Sequence, residues 1–177
     1  ERYIGGLSKF KKIDNPIKLS ANESALGASP KAINAFEKEK NKIFNYPESE
    51  SKLLRDVISK KFNIDPKRII CGAGSDQIFD FVCKLFLDHD DEVIVTEFGF
   101  IMHRIYASLH GGKVLLAKEK NFKASVDEIL REVSDKTKIL FIANPNNPTG
   151  TYLSKDEMTD LRKKLRSDIL LVVDDAY

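Results

Sequence analysis

Apolar positions along this chain follow two rhythms. Ile78, Phe81, Val82, Leu85 and Phe86 fall at i, i+3, i+4, i+7 and i+8, which predicts an amphipathic helix capped by Ser75. Leu53, Leu54, Val57, Ile58 and Phe62 also recur with helical period. Ile33 and Phe36 share a face behind Ser29-Pro30, an N-cap followed by proline at the first helical position. Asn45-Tyr46-Pro47 breaks the helical pattern between them. Further helices are predicted near residues 100–110, 125–133 and 154–166. The last two open on capping boxes, Ser125 to Glu128 and Ser154 to Glu157, with Leu153 and Met158 as the hydrophobic staple of the second. Short apolar runs at residues 68–71, 93–96, 113–116, 138–143 and 169–173 predict strands between the helices.

Leu140-Phe141-Ile142 and Leu170-Leu171-Val172-Val173 are apolar without alternation. Strands of that kind are buried on both faces, so the pattern predicts an α/β fold with a mainly parallel sheet and helices on both faces. Residues 1–29 carry Gly5-Gly6, Asn15-Pro16 and Gly27 and little apolar periodicity, and they predict an irregular N-terminal arm. A parallel sheet binds ligands beyond the carboxyl ends of its strands. The residues to interrogate are therefore 72–77, 97–103, 144–150 and 174–177.

Composition narrows the classes. The 177 residues are 42% hydrophobic and 32% charged with 9 Gly and 6 Pro, which excludes a disordered or collagen-like chain. The 29 Lys and Arg against 27 Asp and Glu leave a net charge of +2, which gives no support to nucleic-acid binding. No apolar run approaches the roughly 20 residues of a membrane span, and no signal-peptide core opens the chain. Cys71 and Cys83 match no zinc motif and sit among apolar neighbours, which predicts reduced, buried thiols and a cytoplasmic setting. His89, His103 and His110 lack the pair spacing of a metal site and read as surface or helix-face residues.

Each strand end offers some chemistry. Gly72-Ala73-Gly74-Ser75-Asp76-Gln77 brings a close backbone approach and free N–H groups at a helix start, an anion cradle or else a plain glycine turn. Gln77 stands where a dinucleotide fingerprint has its third glycine, and no phosphate-loop lysine follows. Phe98-Gly99-Phe100 is either core packing or a ring that stacks on a planar ligand. In Asn144-Pro145-Asn146-Asn147-Pro148-Thr149-Gly150 two prolines hold the residues before them extended, giving a stiff loop that presents amides. Asp174 follows five apolar residues, so its carboxylate needs a cation, several donors, or the turn it would cap. A flat, phosphorylated, cationic heteroaromatic such as pyridoxal phosphate would satisfy all four ends together.

These motifs resemble those of the fold-type I pyridoxal-phosphate aminotransferases, and within them the histidinol-phosphate aminotransferases. The resemblance rests on NPNNPTG at residues 144–150, VVDDAY at 172–177, GAGSDQ at 72–77, LSANES at 19–24 and Tyr46-Pro47, in that order over nearly the whole chain. It implies that Asp174 pairs with the pyridinium nitrogen and that Asn147 and Tyr177 hydrogen-bond the cofactor's phenolic oxygen. It implies that Phe100 stacks on the ring and that Ala73, Gly74, Ser75 and Asp76 cradle the phosphate. Tyr46 would reach the phosphate or the phosphorylated substrate of a neighbouring subunit, which makes the enzyme a homodimer. Tyr3 and Asn22 would lie near the substrate. Asn147 and Tyr46 would touch it as well. Residues 1–29 would serve the small domain and the substrate site, and residues 30–177 would be the cofactor-binding large domain, ending before the Schiff-base lysine.

The chain departs from the family pattern at Gln77 and Asp175, where Glu is usual, and at His103, where Tyr is common. No lysine here suits the Schiff base, since Lys155, Lys163 and Lys164 are placed on a solvated helix face. The resemblance implies a transaminase that moves an amino group between glutamate/2-oxoglutarate and histidinol phosphate/imidazole acetol phosphate in histidine biosynthesis. An aromatic aminotransferase or a threonine-phosphate decarboxylase would carry the same cofactor motifs. Without the lysine the segment alone would be inactive, and a cofactor-free binding module remains a reading from a different class.

Overall fold

The computed structural model describes residue 17 and residues 19–177; Tyr3, Gly5, Gly6 and Asn15-Pro16 lie outside them. The described residues form two compact units, one ending at Cys71 and the other running Gly72–Tyr177.

The first unit holds α1 (Pro30–Glu39) and α2 (Lys52–Phe62). Proline opens α1 as the sequence predicts, but the Ser29 side chain makes no capping bond. Helix α2 stops at Asn63, which takes the left-handed conformation at φ 53°. The Arg55 guanidinium then ties α2 to the following turn with two bonds to the Pro66 carbonyl, at 3.0 and 2.7 Å. The apolar faces of both helices remain exposed, at Phe36 and Leu53 among others. Residues 68–71 do not form the expected strand. Pro66–Arg68 is a 3-10 turn, and Ile69 is extended but unpaired. A strand is held by the ladder of a neighbour, and no described strand lies beside this one.

The second unit is built on four parallel strands in the order β2-β1-β5-β6. They are β1 (Glu92–Thr96), β2 (Lys113–Ala117), β5 (Thr137–Ala143) and β6 (Leu170–Asp174). Around them stand α3 (Gly74–Phe86), α4 (Ile101–Leu109), α5 (Val126–Arg131) and α6 (Lys155–Lys164). Side chains alternate across the sheet. Ile94, Leu140 and Ile142 face Ile129 of α5 and Leu161 of α6. Val93, Val95, Ile139 and Phe141 face Phe79 and Cys83 of α3 and Ala107 of α4. Each such aliphatic or aromatic side chain contributes about 1.5–3 kcal/mol on full burial. The mainly parallel sheet with helices on both faces is the one expected, and Leu140–Ile142 of β5 is buried on both faces, but Leu170–Val173 of β6 lies at the sheet edge, is only partly covered and leaves Val173 exposed. Among the described residues no helix is long and apolar enough to cross a membrane.

Three local expectations change. Between β2 and α5 the chain inserts a hairpin, β3 (Glu119–Lys120) and β4 (Lys123–Ala124). Its turn residues Asn121 and Phe122 both have positive φ, at 54° and 60°. Ser125 caps no N–H, and Glu128 bonds Arg131 instead. Cys83 is fully buried as expected, and burial pushes its thiol up to about 11, whereas Cys71 is only partly covered.

The Ser154 capping box is present in full. Ser154 N–H donates to Glu157 Oε2 at 2.7 Å, and Glu157 N–H donates to Ser154 Oγ at 3.3 Å. Lys123 of the hairpin adds bonds of 2.7 and 2.9 Å to the same carboxylate. The lysine first, then the two Ser154 donors, hold the Glu157 carboxyl down at about 2. A depressed acid stabilises the fold fully above its unfolded value, roughly 4.3, and loses that stabilisation as pH falls toward the folded value. Glu157→Gln should therefore lower the urea midpoint of the whole protein at pH 7, with the gap narrowing from about pH 5 to pH 3. A gap of constant size across that range would refute the ionic account.

Candidate active site

The carboxyl ends of β1, β5 and β6 and the start of α3 converge on a cavity of roughly 330 Å³. Asp174, Phe100, Asn147 and Tyr177 line it, together with Ala73, Gly74, Ser75 and Asp76. Eight of the residues implied by the motif resemblance thus share one cavity, although they span more than a hundred positions of sequence.

Helix α3 begins two residues earlier than expected, with Ala73 rather than Ser75 at the cap. Gly74 has φ +76°, a backbone conformation that a side chain would strain. The Gln77 side chain folds back to accept the Ala73 N–H at 2.7 Å. The Gly74 N–H donates to the Gly72 carbonyl at 2.9 Å, so the first turn leaves the N–H groups of Ser75 and Asp76 at the cavity wall, where an anion is favoured.

The loop after β5 is stitched at both ends. Asn144 N–H donates to the Asp174 carbonyl at 2.9 Å. The Asn144 amide donates to the Leu153 carbonyl at 3.1 Å and accepts the Leu153 N–H at 2.7 Å. Both X-Pro bonds of the loop, before Pro145 and Pro148, are cis. Asn147 Nδ2 reaches Tyr177 Oη at 3.4 Å, a long contact between two residues assigned to the same ligand atom.

Asp174 sits at the end of β6 with a side chain only 8% exposed. His103, on α4, is fully buried behind it, and its Nε2–H donates to Asp174 Oδ2 at 3.3 Å. The His103 ring stacks on Phe141 at 5.0 Å and 15°, and meets Phe79 and Phe100 edge-on at 4.8 and 5.6 Å. The sequence reading placed His103 on a surface or helix face; the structure corrects this. A histidine interrupts an apolar pattern like any polar residue, so periodicity cannot reveal its burial. The one signal available was its position three residues after Phe100, on the helix leaving the same strand end.

Of the other expected site residues, Asn22 and Tyr46 belong to the unit that ends at Cys71, and both are exposed. Tyr3 lies outside the described residues. Lys155, Lys163 and Lys164 are exposed on α6, where the sequence places them.

The arrangement suits pyridoxal phosphate on chemical grounds. The start of a helix, an aromatic ring and a sheltered carboxylate all line the one cavity.

The model of the family "Aminotransferase class I and II" matches residues 14–177. The histidinol-phosphate aminotransferase of Pelagibacter ubique is 57% identical over 177 residues, which is 100% of this chain and 49% of that protein. The enzyme of the same name from Rhodospirillum rubrum is 43% identical, over 99% of this chain and 48% of its own length. The chain therefore spans about half the length of these curated relatives. Among solved structures, the histidinol-phosphate aminotransferase of Sinorhizobium meliloti in complex with pyridoxal-5'-phosphate superposes with a TM-score of 0.82 at 21% identity, over 86% of this chain and 42% of that one. The putative histidinol-phosphate aminotransferase of Erwinia carotovora atroseptica gives 0.86 at 24% identity, over 99% and 50%. At those identities the structures establish the shared fold.

Proposed function

We propose a function from one premise: the chain belongs to the class I and II aminotransferases. In this proposal the whole protein is a pyridoxal-phosphate-dependent transaminase. It moves an amino group between glutamate/2-oxoglutarate and histidinol phosphate/imidazole acetol phosphate, in histidine biosynthesis. The cavity where Asp174, Phe100, Asn147 and the α3 amides meet carries the proposal, and the names of the curated relatives support its substrate.

Pyridoxal phosphate, when bound, supplies a protonated ring that accepts electrons from the substrate. The protein's residues make that ring effective. The Asp174 carboxylate holds the proton on the ring nitrogen, since an adjacent negative charge favours the cationic form. His103 orients that carboxylate and shields it from water. Phe100 stacks on the ring face, and Asn147 and Tyr177 donate to the phenolic oxygen. Ala73, Gly74, Ser75 and Asp76 form the phosphate cradle, in which the backbone N–H groups of Ser75 and Asp76 are the donors and Ala73 and Gly74 shape the wall. Residues 30–177 then belong to the cofactor-binding large domain. Residues 1–29 form an arm in which Tyr3 and Asn22 meet the substrate. Tyr46 serves the site of a partner subunit in a cytoplasmic homodimer. The Schiff-base lysine comes from sequence beyond Tyr177.

The test is made on the full-length protein. It should show the visible absorbance of bound pyridoxal phosphate and transaminate histidinol phosphate with 2-oxoglutarate. Turnover of aromatic amino acids with none of histidinol phosphate would overturn the substrate assignment. Absence of cofactor absorbance would overturn the whole reading.

A further inference from the structure

We infer that Asn146 is a positioning residue that locks two walls of the cavity together from outside it. The inference rests on the reading of that cavity as the cofactor site. Asn146 does not line the cavity, but both of its neighbours, Pro145 and Asn147, do. It is 9% exposed. Its Nδ2 donates twice, to the Phe98 carbonyl at 3.1 Å and to Thr149 Oγ1 at 2.8 Å. The first bond crosses from the loop after β5, which carries Asn147, to the loop after β1, which carries Phe100. The second starts a chain whose direction is fixed. Thr151 Oγ1 donates to the Phe122 carbonyl at 2.7 Å, so Thr149 must donate to Thr151 across their 2.8 Å contact. Thr149 Oγ1 is then free to accept from Asn146. The Phe98 carbonyl accepts only from a donor, so the amide can have only this orientation.

Phe98 is clamped on both sides, because its own N–H donates to Glu119 Oε1 at 3.2 Å and its ring packs on Phe122 at 5.2 Å. From Phe98 to Phe100 the chain has no slack. Gly99 N–H donates to the Thr96 carbonyl at 3.0 Å, and a Cβ on Gly99 would lie 2.6 Å from Thr96 Oγ1. A shift at Phe98 therefore passes to the Phe100 ring, and a shift at Asn146 passes to the adjacent Asn147 amide.

The energetics point the same way. Asn146 Oδ1 is buried with no partner among the described residues. An unsatisfied buried acceptor is destabilising, so stability alone gives little reason for an amide here. Its two donor bonds are the gain, and both serve loop geometry.

The test uses the full-length protein loaded with pyridoxal phosphate, with Asn146→Asp and Asn146→Ala. The aspartate is nearly isosteric but sets an acceptor against the Phe98 carbonyl, whereas alanine only removes the donors. Both variants should keep their circular dichroism. They should bind the cofactor about tenfold more weakly, Asn146→Asp the more so, as expected for one or two lost hydrogen bonds. The pH midpoint of the bound cofactor's visible absorbance should shift, a change that lowered stability alone does not produce. Should one variant fail to fold, the other is read in the same way. A folded variant with the parent's affinity and midpoint overturns the role of Asn146 while leaving the function intact. A parent protein that binds no cofactor overturns the function and this inference together.

Discussion

Asp174→Asn is expected to leave the fold in place and to lower kcat/KM for transamination by about 10²–10³-fold, the scale seen when one preorganised electrostatic partner is removed from an active site. The substitution keeps the shape of the side chain and removes its charge. That charge is poorly screened, because the Asp174 side chain is 8% exposed and is bordered by His103 and the cavity. In so sheltered a position a carboxylate acts on a neighbouring cation far more strongly than it would in water. Structure should suffer little, since the His103 Nε2–H can still donate to the amide oxygen of the asparagine. Steady-state kinetics with histidinol phosphate, alongside a thermal melt, separates the two effects. A folded variant within about threefold of the parent would mean that the ring nitrogen is not held by this carboxylate. His103→Phe gives a graded comparison: it keeps the stack on Phe141 but takes away the donor, so the loss should be smaller, about tenfold.

The parts of this site that depend on local sequence were legible before any coordinates. Prolines at 145 and 148, the glycines at 72 and 74 and the unbroken apolar runs ending at Ala143 and Val173 each constrain their own few residues. They also place Asn147 and Asp174 at strand ends and Gly74 at a helix start. What stayed hidden depends on pairing at long range. Residues 69–71 have the composition of a strand but no ladder to join. The β3–β4 hairpin turns on Asn121 and Phe122 in positive φ, and phenylalanine gives no turn signal. Ser125 has the capping-box spacing of Ser154, yet Glu128 is drawn to Arg131 and Lys120 while Glu157 stays with its cap. His103 and Asn146 share one explanation. Each is a polar side chain buried by elements remote in sequence, His103 by β5 and β6 and Asn146 by the loop after β1.

Phe141→Ala should be the most damaging single truncation in the second unit, at about 3–5 kcal/mol. Phe141 is fully buried in β5, the strand paired on both sides by β1 and β6. Its ring meets Phe79 of α3 edge-on at 5.8 Å and carries the His103 ring of α4 in a stack. Alanine would leave a cavity where the sheet and two helices meet, and the close-packed surroundings can relax into it only in part. Lost aromatic pairing adds to lost burial. Against a typical total of 5–15 kcal/mol this is a large fraction, so urea unfolding of the full-length protein should show a clearly lower midpoint. Lys163→Ala on the exposed face of α6 should move the midpoint little, by about 0.5 kcal/mol or less. The variant also bears on the site, because the stack on Phe141 is what holds His103 in line with Asp174. Activity should therefore fall at temperatures where Phe141→Ala is still folded. A loss under about 1 kcal/mol with full activity would show that the aromatic cluster neither anchors the sheet nor aligns the carboxylate.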